Sequence, residues 1–228
     1  MGRRGHPIVA GTADLKYSNG LVRFQERHPD RYVQFGISEQ HMVSTASGLA
    51  TTGWQPYVAT VASFLALLAC EQIRTDVAYT KLPVRLIGHH AGITLGYCGT
   101  SHHATEDLAI TRSIAGLTVI APADAAQLRS ALRAAADWPG PIYFRIGRAQ
   151  DPDVYDGDDR AFTVEEHSVL GGLGGAVAEV VAEQGLRARV VRHGLRDEYA
   201  LIGPPTHLYR HYRLDAEGIA RAARAAVR

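Results

Sequence analysis

Cysteine and long apolar runs are both scarce in this chain. Its two cysteines, Cys70 and Cys98, are too few for a disulfide framework, and neither lies in a CxxC arrangement. No apolar run approaches the roughly 20 residues that a membrane-spanning helix needs. No hydrophobic signal segment follows the basic residues 1–7. We therefore expect a soluble protein of the reducing cytoplasm.

The chain also lacks an excess of charge of either sign. Its 24 basic and 23 acidic side chains leave a formal net charge of +1. Nothing in that balance indicates electrostatic attraction to nucleic acid or to a membrane surface. We expect neither as a partner.

The common metal-binding patterns are missing as well. The sequence has no HExxH and no Cys/His set at zinc spacing. His89 and His90 are adjacent, but neighbouring side chains on an extended backbone point to opposite faces, so the two should not chelate one ion together. We expect no metal site made only of this chain's own side chains.

Short β-rich runs alternate with longer helical segments through the first 150 residues. The predicted strands are residues 7–10, 32–35, 57–61, 84–88, 117–121 and 142–146, and the predicted helices are residues 39–52, 64–80, 105–115 and 125–137. Such alternation favours an α/β fold with a mostly parallel sheet and helices on both faces. Asp124 is placed to cap the last of these helices.

An acidic segment with Pro and Gly, residues 151–162, is typical of a linker. It separates a first domain, residues 1–150, from a smaller unit, residues 163–228. In that unit we predict strands at 162–164 and 188–192, a glycine turn at 171–175, and helices at 176–184 and 215–227. Two strands and two helices are few for an independently stable domain.

Glu39 is the first candidate for chemistry. Gly36 ends the second predicted strand, and Ser38 can cap the helix that follows, so Glu39 falls in the first helical turn. Ligands of α/β proteins bind at such strand-to-helix turns. Taken alone, favourable pairing of an acid with a helix N-terminus also explains the residue.

Other candidates follow the remaining strands. Asp14 lies in a polar turn that an Asx-type turn would also explain. Arg145 and Arg148 end a strand that should be buried, which indicates an anionic ligand or a carboxylate partner. The glycine-rich segment 88–107 is typical of a substrate or cofactor loop. Residues 165–168 could form an acid/base cluster, although a tight strand-to-helix turn explains the glycines after them better.

Five motifs, in this order along the chain, together resemble the pyrimidine-binding domain of transketolase. They are residues 13–19 (ADLKYSN), 36–42 (GISEQHM), 63–65 (SFL), 88–107 and 120–124 (IAPAD). Residues 164–174 are similar to part of the C-terminal domain of transketolase, so the resemblance covers nearly the whole chain.

The resemblance implies thiamine diphosphate as cofactor. In this family a glutamate of the pyrimidine domain hydrogen-bonds the ring nitrogen of the aminopyrimidine, and Glu39 occupies that place. Phe64 matches an aromatic residue that stacks on the pyrimidine, and Leu67 stands where the family has a second aromatic. Asp14, in the first motif, is included among the expected cofactor-binding residues.

Substrate positions transfer from the family in the same way. Ser18, His90 and Arg148 match residues that hold the sugar phosphate or its hydroxyls. His102 matches the histidine of the family's Thr-His-Gln segment, and we expect His90 and His102 to act with Glu39 in catalysis. Cys98 replaces an acidic residue that contacts a substrate hydroxyl in the family, so the resemblance leaves the stereochemical preference for the donor sugar open.

Transketolases bind the diphosphate and Mg²⁺ through a separate domain that carries Gly-Asp-Gly followed by Asn. The only similar pattern here, Asp-Gly-Asp at 156–158, lies in the linker. The resemblance therefore implies a split transketolase, whose diphosphate-binding N-terminal subunit completes the site for both groups. We expect an α₂β₂ heterotetramer that moves a two-carbon ketol unit between phosphorylated sugars.

Two family segments have no counterpart in this sequence. The first helix, with its phosphate-contacting arginine, is missing or reduced to residues 1–7. The first strands and helices of the C-terminal domain are absent between Asp159 and Thr163. Three alternatives remain open: a 1-deoxyxylulose-5-phosphate synthase-like subunit, a 2-oxoacid dehydrogenase β-like subunit, and a catalytically silent scaffold subunit.

Overall fold

Six parallel strands form the central sheet of the computed structural model, which describes residues 7–148, 164–185, 190–196 and 198–226. The strands are β1 (Ile8–Thr12), β2 (Tyr32–Gln34), β3 (Gln55–Val61), β4 (Arg85–His89), β5 (Thr118–Ile120) and β6 (Ile142–Arg145). They lie in the order β2-β1-β3-β4-β6-β5. The predicted mostly parallel sheet is confirmed.

Five α-helices connect these strands. They are α1 (Val22–Arg27), α2 (Glu39–Thr51), α3 (Cys70–Gln72), α4 (Asp107–Ser113) and α5 (Ala125–Ala135). The helix predicted at 64–80 is irregular, because π-helical turns at Phe64–Leu68 and Ile73–Ala78 flank the short α3. The Asp124 cap is confirmed, since its Oδ1 accepts from the Gln127 backbone N–H at 2.7 Å. Helix α1 was not predicted.

The two faces of the sheet carry different cores. Leu86 and Tyr143 point to the face covered by α2 and the irregular helix, where Met42 is fully buried. Ile87 and Phe144, the next residue on each strand, point to the opposite face and pack under α5. This alternation is the period of a strand, and it confirms helices on both faces.

Arg85 ties β4 to the end of α5. Its side chain is fully buried, and its guanidinium donates to the carbonyls of Ala135, Trp138 and Gly140. These carbonyls lie at and just beyond the last turn of α5, where a helix leaves acceptors without intrahelical donors. Arg85 therefore fixes the end of helix α5 against strand β4.

The second unit contains a two-stranded parallel sheet and three helices within the described ranges. They are β7 (Val164–Ser168), β8 (His193–Leu195), α6 (Leu173–Glu183), α7 (Pro205–His211) and α8 (Ala216–Ala226). Asp215 caps α8 as predicted, by accepting from the Gly218 N–H at 2.9 Å.

Several predictions for this unit were wrong. The first strand extends from 164 to 168, and the second lies at 193–195 because residues 190–192 are not extended into the sheet. Helix α6 begins inside the predicted glycine turn, and α7 was not predicted. The linker 151–162 and residues 162, 163, 188 and 189 lie outside the described residues.

The two units share contacts along the glycine-rich loop of residues 88–107. Ile93, from that loop, is buried in the core of the second unit beside Leu195 and Leu208. The Gly96 carbonyl accepts from the Gly203 backbone N–H at 3.1 Å. A Cβ on Gly99 would lie 2.7 Å from the Ile202 side chain. The second unit therefore packs directly on the loop.

Within the described ranges, no helix is both long and apolar enough to cross a membrane.

Candidate active site

The candidate site residues follow the carboxyl ends of the parallel strands. The residues are Asp14 and Ser18 after β1, Glu39 after β2, Phe64 after β3, His90 after β4 and Arg148 after β6. Because the strands are parallel, these ends share one edge of the sheet, which is where open α/β sheets bind ligands.

Glu39 is a buried acid at this edge, with 6% of its surface exposed. Its Oε1 accepts a hydrogen bond from the Thr60 hydroxyl at 3.1 Å. Thr60 is fully buried on β3 and pairs with Gly88 in the register of the sheet. Ser38 precedes α2, but its side chain makes no capping hydrogen bond, so that part of the prediction was wrong. Thr60, which sequence reasoning missed, orients the carboxylate.

Phe64 lies against the glycine-rich loop. Its ring meets the His102 ring edge-on, with centroids 5.0 Å apart. The Ser63 hydroxyl donates to the His102 carbonyl at 3.3 Å, and the Ser101 hydroxyl contacts His102 Nδ1 at 2.9 Å. Leu67, one turn beyond Phe64, is 50% exposed. The structure thus brings Phe64 and His102 together and leaves Leu67 at the surface.

Three predicted substrate residues, Ser18, His90 and Arg148, line one cavity of about 260 Å³. Apolar side chains from the sheet and α5 form much of its wall. The other lining residues are Asn19, Leu21, Ala59, Ile87, His89, Leu128, Leu132, Phe144, Ile146 and Gly147. His90 is buried and Arg148 is exposed, so this largely apolar cavity carries a buried imidazole and, at its exposed side, a guanidinium.

His89 and His90 face each other, contrary to the prediction from an extended backbone. His90 has a φ of 56°, in the left-handed region, which turns its ring back toward His89. The two Nδ1 atoms share a hydrogen bond, and the ring centroids are 4.6 Å apart. The alternation of β4 could have placed His89 in the cavity wall, since it shares a face with Ile87.

Both rings of this histidine pair are neutral at pH 7. Burial, with a smaller contribution from His90, lowers the pKa of His89 to about 3. Burial and the positive charge of Arg148 lower the pKa of His90 below its usual value. One of the two Nδ1 atoms must therefore donate and the other accept.

Asp14 is engaged in its own turn. Its backbone N–H donates to Gln34 Oε1 at 2.8 Å, and Gln34 Nε2 donates to Asp14 Oδ1 at 3.0 Å. Its φ of 60° is left-handed. The residue is exposed and does not line the cavity of Ser18 and His90, so its observed contacts are local.

Arg145 has a carboxylate partner. Its Nε donates to both oxygens of Asp107, at 3.1 and 3.0 Å, and another guanidinium nitrogen donates to the carbonyls of Ala104 and Glu166. The Tyr143 hydroxyl also donates to Asp107, at 2.9 Å. Burial and the nearby Asp107 charge raise the pKa of Tyr143 well above its usual value, which keeps this donor protonated. Arg145 therefore joins the loop to the sheet.

The cluster at residues 165–168 serves as an anchor. Glu166 Oε1 accepts from the Ile93 N–H at 2.6 Å, and Glu165 Oε1 accepts from the Gly174 N–H at 3.0 Å. His167 Nε2 accepts from the Leu108 N–H at 3.1 Å, and burial lowers the pKa of this histidine. The Glu166 and His167 contacts fix the second unit to the loop and to α4, and the Glu165 contact joins β7 to α6 within the second unit.

The described residues contain no group of three or more His, Cys, Asp or Glu side chains that could hold a metal ion. Cys98 is exposed in the glycine-rich loop, and Cys70 is partly buried in α3.

Comparison with known proteins identifies the family of this chain. Residues 1–152 match the family model described as transketolase, pyrimidine binding domain, and residues 153–219 match transketolase, C-terminal domain. The chain belongs to the transketolase family. It is a transketolase-type subunit, similar over nearly its full length to proteins that are themselves sections or subunits of the enzyme.

Three relatives illustrate the similarity. A putative transketolase C-terminal section of Methanocaldococcus jannaschii is 31% identical, over 97% of this chain and 90% of that protein. One subunit of an apulose-4-phosphate transketolase from Phocaeicola vulgatus is 29% identical, over 98% of this chain and 92% of that protein. A solved structure described as a split gene transketolase, inactive β4 tetramer, superposes with a TM-score of 0.84 at 31% identity. The match covers 96% of this chain and 91% of that chain.

The alignment with the Methanocaldococcus jannaschii protein extends over 286 positions, whereas the present chain has 228 residues. The relative therefore contains internal segments without a counterpart here.

Proposed function

We propose that this chain is the pyrimidine-binding subunit of a two-chain transketolase, which transfers a two-carbon ketol unit between phosphorylated sugars. One observation carries the proposal: the buried Glu39 carboxylate lies at the same sheet edge as the cavity of Ser18, His90 and Arg148. The family membership and the relatives named as transketolase subunits support it.

The residues present fit the aminopyrimidine half of thiamine diphosphate. Glu39 offers a buried carboxylate, oriented by Thr60, to a ring nitrogen, and the partly exposed Phe64 offers an aromatic face for stacking. When bound, the cofactor supplies the electron sink for cleavage of the sugar's carbon–carbon bond. Glu39 would hold the ring nitrogen through a shared proton, and Phe64 would cover one face of the ring.

Substrate binding follows from the cavity. A guanidinium binds phosphate through two parallel N–H donors, and Arg148 is placed at the exposed mouth, where a phosphate keeps part of its hydration. The buried His90 and the exposed Ser18, which line the same cavity, serve the sugar hydroxyls. His102, positioned by Phe64, is the second imidazole that we assign to proton transfer at the substrate. Asp14 is assigned to shaping the turn beside the cofactor.

A partner subunit supplies the diphosphate and Mg²⁺ site in this proposal. The sequence has no Gly-Asp-Gly segment of the kind that binds these groups in the family. Large apolar side chains are exposed near Glu39 and on the irregular helix, including Ile37, Leu67 and Leu68. Such surfaces mark protein–protein contacts. The description of one relative as an inactive β4 tetramer supports activity that depends on a second subunit.

The test is reconstitution. The chain is co-purified with the product of its neighbouring reading frame, thiamine diphosphate and Mg²⁺ are added, and ketol transfer from xylulose 5-phosphate is assayed. Glu39→Gln keeps the shape but cannot share the proton, so turnover should fall by well over about tenfold, or roughly 1.4 kcal/mol in barrier. Glu26→Gln, an exposed residue of α1, is the control. Full activity in Glu39→Gln would contradict the proposal.

A further inference from the structure

A buried polar atom in the wall of the candidate substrate cavity has no hydrogen-bond partner among the described residues. His89 lines the cavity with 3% of its surface exposed, and its Nε2 makes no hydrogen bond to any described residue. Buried side-chain polar atoms are hydrogen-bonded in the large majority of cases, so an exception needs an explanation. The explanation lies in the other nitrogen of the ring.

The hydrogen bond between the two Nδ1 atoms couples the tautomers of His89 and His90. Each neutral imidazole carries one hydrogen, on either Nδ1 or Nε2. If His90 Nδ1 donated, the hydrogen of His89 would lie on Nε2, as a buried N–H without an acceptor. If His89 Nδ1 donates, its Nε2 is only a buried acceptor without a donor. An orphaned N–H is the rarer of the two, so the second arrangement is favoured.

We propose that His89 is a positioning residue that fixes His90 in the tautomer with its hydrogen on Nε2, so that His90 presents a hydrogen-bond donor to the substrate. This inference rests on the proposed function only in naming a phosphorylated sugar as the ligand. The donor joins the guanidinium of Arg148, which lines the same cavity, and the Ser18 hydroxyl, which donates to the Leu15 carbonyl at 3.1 Å, offers its oxygen there as an acceptor. Such a set suits a ligand that is rich in hydroxyl groups and phosphate oxygens.

The same coupling resists protonation of His90. A protonated His90 carries hydrogens on both nitrogens, and its Nδ1–H would then face the Nδ1–H of His89. His89 would have to move its hydrogen to the orphaned Nε2. Among the described residues, the charged and titratable groups that face His90 are His89 and Arg148, and both oppose a positive charge on His90. The coupling and the lowered pKa of His90 therefore both favour the neutral donor.

The direct test is the ¹⁵N spectrum of histidine-labelled protein at pH 7, co-purified with its partner. We expect His90 with a bare Nδ1 and a hydrogen on Nε2, and His89 with the opposite tautomer. His89→Phe keeps the ring and removes the donor, so His90 should become a tautomer mixture. His103→Phe, at an equally buried histidine outside the cavity wall, should leave the His90 signals unchanged. A wild-type His90 with its hydrogen on Nδ1, or a protonated His90, would overturn the proposal even if no variant folds.

Kinetics give the second readout. His89→Phe should raise the KM for phosphorylated sugar about tenfold with a smaller change in kcat. The reason is that loss of the single His90 tautomer weakens a hydrogen bond that the substrate already makes in the ground state. It should also shift the acidic limb of the kcat/KM profile to higher pH. His89→Asn, whose amide can donate at the Nδ1 position, should restore both. An unchanged profile in His89→Phe would refute the positioning role. Inactive wild-type protein with the expected ¹⁵N pattern would instead count against the ketol-transfer assignment alone.

Discussion

Replacing Asp107 with alanine should destabilise the protein more than any surface charge change. The Asp107 side chain is 1% exposed, that of Arg145 is 12% exposed, and the Tyr143 hydroxyl also donates to this carboxylate. Removing one partner of a buried ion pair costs about 3–5 kcal/mol, because the other charge remains buried. Arg145 keeps its bonds to the Ala104 and Glu166 carbonyls, which places the expected loss near the lower figure.

A loss of about 3 kcal/mol corresponds to a fall in Tm of about 6–12 °C for a chain of this size. Urea denaturation at pH 7 measures the free energy of unfolding directly. Asp107→Asn keeps the shape and one acceptor oxygen and should lose less. Glu71→Ala is the matched control, because it removes an exposed partner of Arg74 and should cost under about 1 kcal/mol. If Asp107→Ala cost no more than Glu71→Ala, the structural role of this ion pair would be refuted.

Three further predictions concern the substrate, pH and assembly. Arg148→Ala should raise the KM for phosphorylated sugars at least about tenfold and leave unphosphorylated sugars little affected; equal effects on both in steady-state kinetics would remove Arg148 from the phosphate site. Since the pKa of His89 is about 3 in the folded protein, against an ordinary value of 6.5, stability is full above pH 6.5 and is lost as the pH falls toward 3, by about 2 kcal/mol at pH 5. Urea midpoints at pH 8 and 5 measure this loss, and His89→Phe should reduce it; an equal loss in the variant would exclude His89 as its source. Light scattering on the co-purified subunits should report an α₂β₂ heterotetramer, the closed two-fold assembly that soluble oligomers favour, and a lone heterodimer would contradict it.

The sheet was predictable because buried parallel strands are continuous apolar runs between helical segments. All six predicted strands of the first unit overlap observed strands. Helix α1 was missed because its six residues include no buried one, so it has no apolar stripe to detect. Strand β8 was predicted too early in the chain, at residues 188–192. The segment that pairs with β7 is His193–Leu195.

For the candidate site, the sequence was enough to predict which loops lie close together. Parallel strands bring their carboxyl ends to one edge, and Ser18, His90 and Arg148 indeed share a cavity there. The contact between His89 and His90 was not predictable, since it depends on a left-handed φ that an ordinary side chain rarely adopts. The Arg145–Asp107 pair was left open because its partners lie 38 positions apart in the chain. The catalytic and binding roles themselves stay predictions.

The attachment of the second unit to the glycine-rich loop limits how far this subunit can be shortened. Glu166 and Gly203 bind the loop backbone on either side of Leu95, and Ile202 closes over Gly99. The second unit thus stabilises the segment that carries His90 and His102. Loss of β7 or of residues 202–203 would remove these contacts from the loop that carries both histidines.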